Sequence, residues 1–121
     1  MKKVVLLAML VSSAASAHEA YVQLPWDTPI GSTVEITFGE ILYTKEKCQL
    51  PLVNASAMHR YEYLGGTTHD TGCWANTLSQ KALIVTSDGE TSDSYIPTLF
   101  LVDIRNDNSA KVLAKPTLKR Y

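Results

Sequence analysis

Apolar and polar residues alternate along much of this chain with a period of two, the spacing of a strand with one face covered. Residues 33–38 are the clearest case: Val34, Ile36 and Phe38 point one way, and Thr33, Glu35 and Thr37 the other. Gly39 predicts a bulge or strand end, and Ile41-Leu42-Tyr43 a short continuation. Residues 44–47 read as an exposed polar connector. Over residues 54–64 two periods compete. Ala55, Met58 and Tyr61 sit at helical spacing, while His59, Tyr61 and Tyr63 sit at strand spacing. A strand over residues 58–64, preceded by a single helical turn, accommodates both.

Gly65-Gly66 signals a turn, after which residues 67–75 run back as a strand, with Gly72 permitting close approach of a neighbour. Residues 76–80 turn again. Residues 81–86 have a continuous apolar centre, Ala82-Leu83-Ile84-Val85, which suits a middle strand covered on both faces. Ser87-Asp88-Gly89 is hairpin-turn chemistry, residues 90–94 read as a polar loop, and residues 96–102 as a last strand with Pro97 near its start. Upstream, Pro25 and Pro29 break any regular element between residues 24 and 29. Strands of this length joined by short turns predict a mainly β domain, an antiparallel meander closed as a small barrel or sandwich.

The first 17 residues read as an export signal rather than as part of that sheet. Lys2 and Lys3 precede an apolar run of eight residues, and Ala15-Ser16-Ala17 ends it with a small-residue cleavage site. Eight residues are too few for a bilayer-crossing helix, which takes about 20. The expected organisation is a signal peptide at 1–17, a disulfide-stapled β domain at 18–104 and a basic tail at 105–121, placed in the periplasm or secreted. Charge draws the second boundary. Residues 18–104 carry 11 acids and four bases, whereas residues 105–121 carry five bases and one acid. The tail is expected to be solvated, and its charge offers peripheral contact with an anionic envelope surface.

Cys48 and Cys73 both follow the signal. An even count in an exported chain predicts one disulfide. A redox Cys-x-x-Cys motif is excluded by the spacing, and zinc would need two further ligands. On the loop-closure model the bridge contributes about 3.5 kcal/mol, a large share of a typical total of about 5–15. The layout, with Cys48, then Gly72-Cys73-Trp74 and the Asp88-Gly89 turn, resembles small exported bacterial proteins carrying a Cys…Gly-Cys-Trp pattern. The resemblance covers the middle third of the chain and implies a fold, not an activity.

Candidate chemistry is sparse. Ser residues lie outside any Gly-x-Ser-x-Gly elbow, no carboxylate pair stands out on one strand face, and Gly65-Gly66 lacks the Lys of a phosphate loop. A disulfide-bonded Cys73 supplies no thiolate to His69-Asp70. Tyr61, Tyr63 and Trp74 are candidates for an aromatic face that contacts sugar or peptide, with core packing as the competing use. Cleavage after Ala17 would expose His18 as the first residue, resembling the histidine brace of periplasmic copper carriers and copper polysaccharide mono-oxygenases. That resemblance implies copper as a cofactor, held by His18 and a second histidine, for which His59 and His69 are the available partners. The expected function is therefore non-catalytic binding of a protein or cell-envelope polymer, without nucleic acid, a membrane span or a cofactor; a copper-binding protein is the alternative.

Overall fold

The computed structural model describes residues 18–53 and 55–119, so the signal reading of residues 1–17 lies outside it. Nine strands and two 3₁₀ turns follow one another along these residues: β1 (His18–Val22), β2 (Thr33–Glu35), β3 (Phe38–Lys47), a turn at Ala55–Ala57, β4 (His59–Gly65), β5 (Thr68–Asn76), β6 (Lys81–Thr86), β7 (Thr91–Tyr95), a turn at Ile96–Thr98, β8 (Phe100–Ile104) and β9 (Ser109–Ala114). They form a single sheet in the order β2-β9-β8-β1-β3-β4-β5-β6-β7. Every pairing is antiparallel. The chain is thus mainly β, with a meander running from β3 to β7. β2 and β7 end the order and do not pair with each other, so the ladder is open rather than closed into a barrel. Apolar residues packed on both faces give it the character of a sandwich.

Successive side chains on a strand point to opposite faces, so the register sorts the core into two clusters. On one face Ala20, Val22, Ile41, Tyr43, Phe100, Val102, Ile104, Ala110 and Val112 pack together with Ile36. On the other, Leu42, Tyr61, Trp74, Ala82, Ile84 and Leu99 pack together, with Tyr21, Tyr63 and Ile96 against them. β1 and β3 contribute to both clusters, Tyr21 pairing with Leu42 on one side and Ala20 with Tyr43 on the other.

The expected disulfide is present. Cys48, just past β3, joins the wholly buried Cys73 of β5 at a Cα separation of 5.2 Å, tying the β3–β4 connection to the third strand of the meander. Beside it, Gly72 has the close approach its sequence context predicts. A Cβ there would lie 2.5 Å from the Val85 carbonyl oxygen and 3.0 Å from the Tyr61 ring.

Several expected elements are redrawn. The alternating run at 33–38 is split, because β2 pairs with β9 at one end of the order while β3 pairs with β1 and β4. Ile36 stays buried, but Phe38 is 70% exposed. Residues 44–47 continue β3 and are no connector. Residues 90–94 are largely the edge strand β7, whose Ser and Asp content is what an unpaired edge tolerates. β6 is covered on one face only: Ala82 and Ile84 are buried between exposed Lys81 and Leu83. Residues 96–98 form a 3₁₀ turn, and the strand begins at Phe100.

The boundary expected at residue 104 is also corrected. It falls on the β8–β9 hairpin, and residues 109–114 are a strand that buries Ala110 and Val112. Three of the basic residues assigned to a tail are instead spread through folded structure. Arg105 lies in the hairpin turn, Lys111 on the outer face of β9, and the Lys115 ammonium 5.7 Å from the Trp26 ring centroid. No helix among the described residues is long and apolar enough to cross a membrane.

Candidate functional site: a cleft between β3 and β7

The meander from β3 to β7 curls until its last strand faces its first. Backbone pairing does not close the gap; side chains do. The Ser94 hydroxyl on β7 donates to Glu40 Oε2 at 2.6 Å, and the Tyr61 hydroxyl on β4 donates to Glu40 Oε1 at 3.1 Å. Both oxygens of one carboxylate are therefore held by hydroxyls from two walls. Burial, reinforced by the Glu40 charge, keeps the Tyr61 phenol protonated well above the usual tyrosine range, so it remains a donor.

The space left between the walls is a cleft of about 510 Å³, lined by Gln23, Phe38, Gly39, Glu40, Tyr63, Asp93, Ser94, Tyr95, Thr98 and Leu99. Phe38 and Tyr63 meet edge to face, their centroids 6.1 Å apart. Gly39 makes this possible: its φ of 109° is open to glycine and strained for other residues, and it sets Phe38 outside the core at the start of β3. The lining includes two carboxylate residues and no Lys, Arg or His. Ser94 has a carboxylate beside it rather than an imidazole, and its hydroxyl donates to that carboxylate.

A second polar cluster lies on the opposite face, where the β3–β4 register slips. Between the pairs Leu42–Tyr61 and Lys47–His59, four residues of β3 oppose the single Arg60. The bulge brings Tyr43 and Glu46 to Arg60, whose guanidinium lies 4.7 Å over the Tyr43 ring. Arg60 bridges Glu46 at 3.1 Å and the buried Glu62 at 2.9 Å. His18 Nδ1 meets Glu46 at 2.8 Å at one end, and His69 Nε2 meets Glu62 at 3.0 Å at the other. The Tyr43 phenol is pushed up to about 12, first by burial and then by the Glu62 charge. Where the ladder to β4 is interrupted, the Tyr43 carbonyl accepts from the Trp74 indole N–H at 2.9 Å.

The structure divides the aromatic residues singled out by the sequence. Tyr61 and Trp74 are 3% and 4% exposed and belong to the core, while Tyr63 lines the cleft. The histidines are divided as well. His18 and His69 cap the two ends of the Glu46–Arg60–Glu62 chain on one face. His59 lies on the other face, tilted against Trp74 at 5.1 Å, with its buried Nδ1 lacking a hydrogen-bond partner. Among the described residues, no three His, Cys, Asp or Glu side chains are grouped to hold a metal ion. Sequence reasoning missed Phe38, Glu40 and Ser94. The one available signal was Gly39, read as a bulge without following where it would send Phe38. No protein-family model, curated protein or solved structure matches the chain.

Proposed function

We propose that this chain is an exported, non-catalytic binding protein that takes a small ligand in the cleft between β3 and β7. One observation carries the reading. Phe38 is 70% exposed, yet it stands against Tyr63 at the mouth of a concavity whose acceptor, Glu40, is already fixed by two hydroxyls. Binding sites for small molecules are concavities of about 300–1,000 Å³ that combine aromatic side chains with placed polar groups, and this cleft has that volume and both kinds of group, with a larger polar share than most. Export is supported by the pattern of residues 1–17 and by the Cys48–Cys73 bridge, which persists in oxidising compartments.

A fragment screen followed by amide NMR tests the site. Hits are expected to shift signals from residues 38–40, 63 and 93–95 together. Hits clustering elsewhere, for example on the outer face of β6, would refute it. The intact mass of protein recovered outside the cytoplasm is expected to correspond to a chain beginning at His18.

A further inference from the structure

We propose that the ligand is an organic cation, its ammonium group seated against Glu40 and faced by the rings of Phe38, Tyr63 and Tyr95. This rests on the binding reading above and adds the ligand's chemical class.

The first support is a missing partner. Four glutamates are at least partly buried: Glu19, Glu40, Glu46 and Glu62. Glu19 pairs with Lys45, Glu46 with His18 and Arg60, and Glu62 with Arg60 and His69. Glu40 is the only one of the four without a cation among the described residues. Its two partners are neutral hydroxyls, which orient the carboxylate and leave its charge uncompensated. A partly buried charge without a counter-charge is costly, and a ligand that supplies one removes that cost.

The second support is the company Glu40 keeps. Three of the cleft's lining residues, Phe38, Tyr63 and Tyr95, are aromatic, and ring faces attract ammonium groups electrostatically. Phe38, 70% exposed, and Tyr95, 38% exposed, both keep surface open to solvent. An anionic ligand would meet Glu40 and Asp93 with no positive side chain in the lining to offset them. A neutral apolar ligand would bury the Glu40 carboxylate further and return nothing to it. A sugar would use the rings and Glu40's remaining lone pairs but would leave the charge unpaired.

Choline, its uncharged carbon isostere dimethylbutanol, butyrate and glucose separate these cases when titrated into the oxidised protein and followed by amide NMR and calorimetry. Choline is expected to bind most tightly, shifting signals from residues 38–40, 63 and 93–95, and to weaken with added salt. Glu40→Gln keeps the side chain's shape and an acceptor oxygen, and is expected to weaken choline binding about tenfold without weakening dimethylbutanol binding. Phe38 contributes little packing, so Phe38→Ala is expected to stay folded and lose about fivefold in choline affinity, which keeps the test open should the Glu40 variant unfold.

Dimethylbutanol binding as tightly as choline, or butyrate or glucose binding more tightly at the same residues, would overturn the cation and leave the binding cleft standing. Choline binding unchanged in either folded variant would also overturn it. The absence of any response at these residues to all four probes would overturn both readings.

Discussion

Trp74→Phe is the substitution that best tests how the β3–β4 bulge is held. Trp74 is 4% exposed, its ring lies among Tyr21, His59 and the second core cluster, and its indole N–H donates to the Tyr43 carbonyl. Phenylalanine keeps an aromatic ring in the core but removes the donor. The carbonyl it leaves lies where the β3–β4 ladder is already broken, so no strand neighbour on that side replaces the bond. An unpaired buried acceptor costs about 1–3 kcal/mol. The smaller ring also leaves a void, and removing the ring entirely with Trp74→Ala is expected to cost about 3–5 kcal/mol. Urea unfolding of the oxidised protein, followed by circular dichroism, measures both. Trp74→Phe should lower the midpoint while leaving the denaturant slope unchanged, the sign of a stability loss without a change in unfolded-state compactness. A loss below about 0.5 kcal/mol would refute the assignment of the indole as the carbonyl's partner. A loss as large as that of Trp74→Ala would show that ring volume, not the hydrogen bond, governs the position.

Two further outcomes follow from the same architecture. The folded-state value of the Tyr43 phenol, about 12, lies above its ordinary value of 10.0. The stability contributed by the neutral phenol is therefore fully present below about pH 10 and lost as pH rises through about 12, a loss that Tyr43→Phe should lessen and that identical alkaline unfolding profiles would contradict. Deleting residues 109–121 removes buried Ala110 and Val112 and exposes β8, so the truncated chain should lose cooperative thermal unfolding; an unchanged melting temperature would show that β9 contributes nothing.

The middle of the sheet was legible because it obeys local rules. His59, Tyr61 and Tyr63 alternate on a strand of ordinary length, Gly65-Gly66 turns it back, and Ser87-Asp88-Gly89 closes a hairpin between β6 and β7. The disulfide was legible from the even cysteine count in a chain whose first 17 residues read as an export signal. The ends of the order were not, because their partners are far away in sequence. β7 has no apolar alternation, since an edge strand of Thr, Ser and Asp reads as loop. β9 carries its core residues as Ala110 and Val112 among Lys and Ser, and charge counting outweighed them. Phe38 continued the alternation of Val34 and Ile36, yet the chain changes strand partner between Glu35 and Phe38, which no periodicity records. The cleft was hidden for the same reason. Glu40 and Ser94 are 54 residues apart and meet only when the meander has curled.

The position of β1 between β3 and β8 bears on when the molecule can finish folding. As the chain emerges from a ribosome or a transport channel, β3 to β7 can pair in succession, each strand finding its partner within a short turn. β1 can join β3 early, but its other edge stays open until β8 arrives some eighty residues later, and β2 waits for β9. Until then one face of the sheet lacks Phe100, Val102, Ala110 and Val112, and apolar surface and unpaired strand edges stand in water. Such long-range closure slows folding and exposes the nascent chain to aggregation. β8 and β9 are therefore the latch. The sheet stays incomplete, and its apolar face uncovered, until both are out.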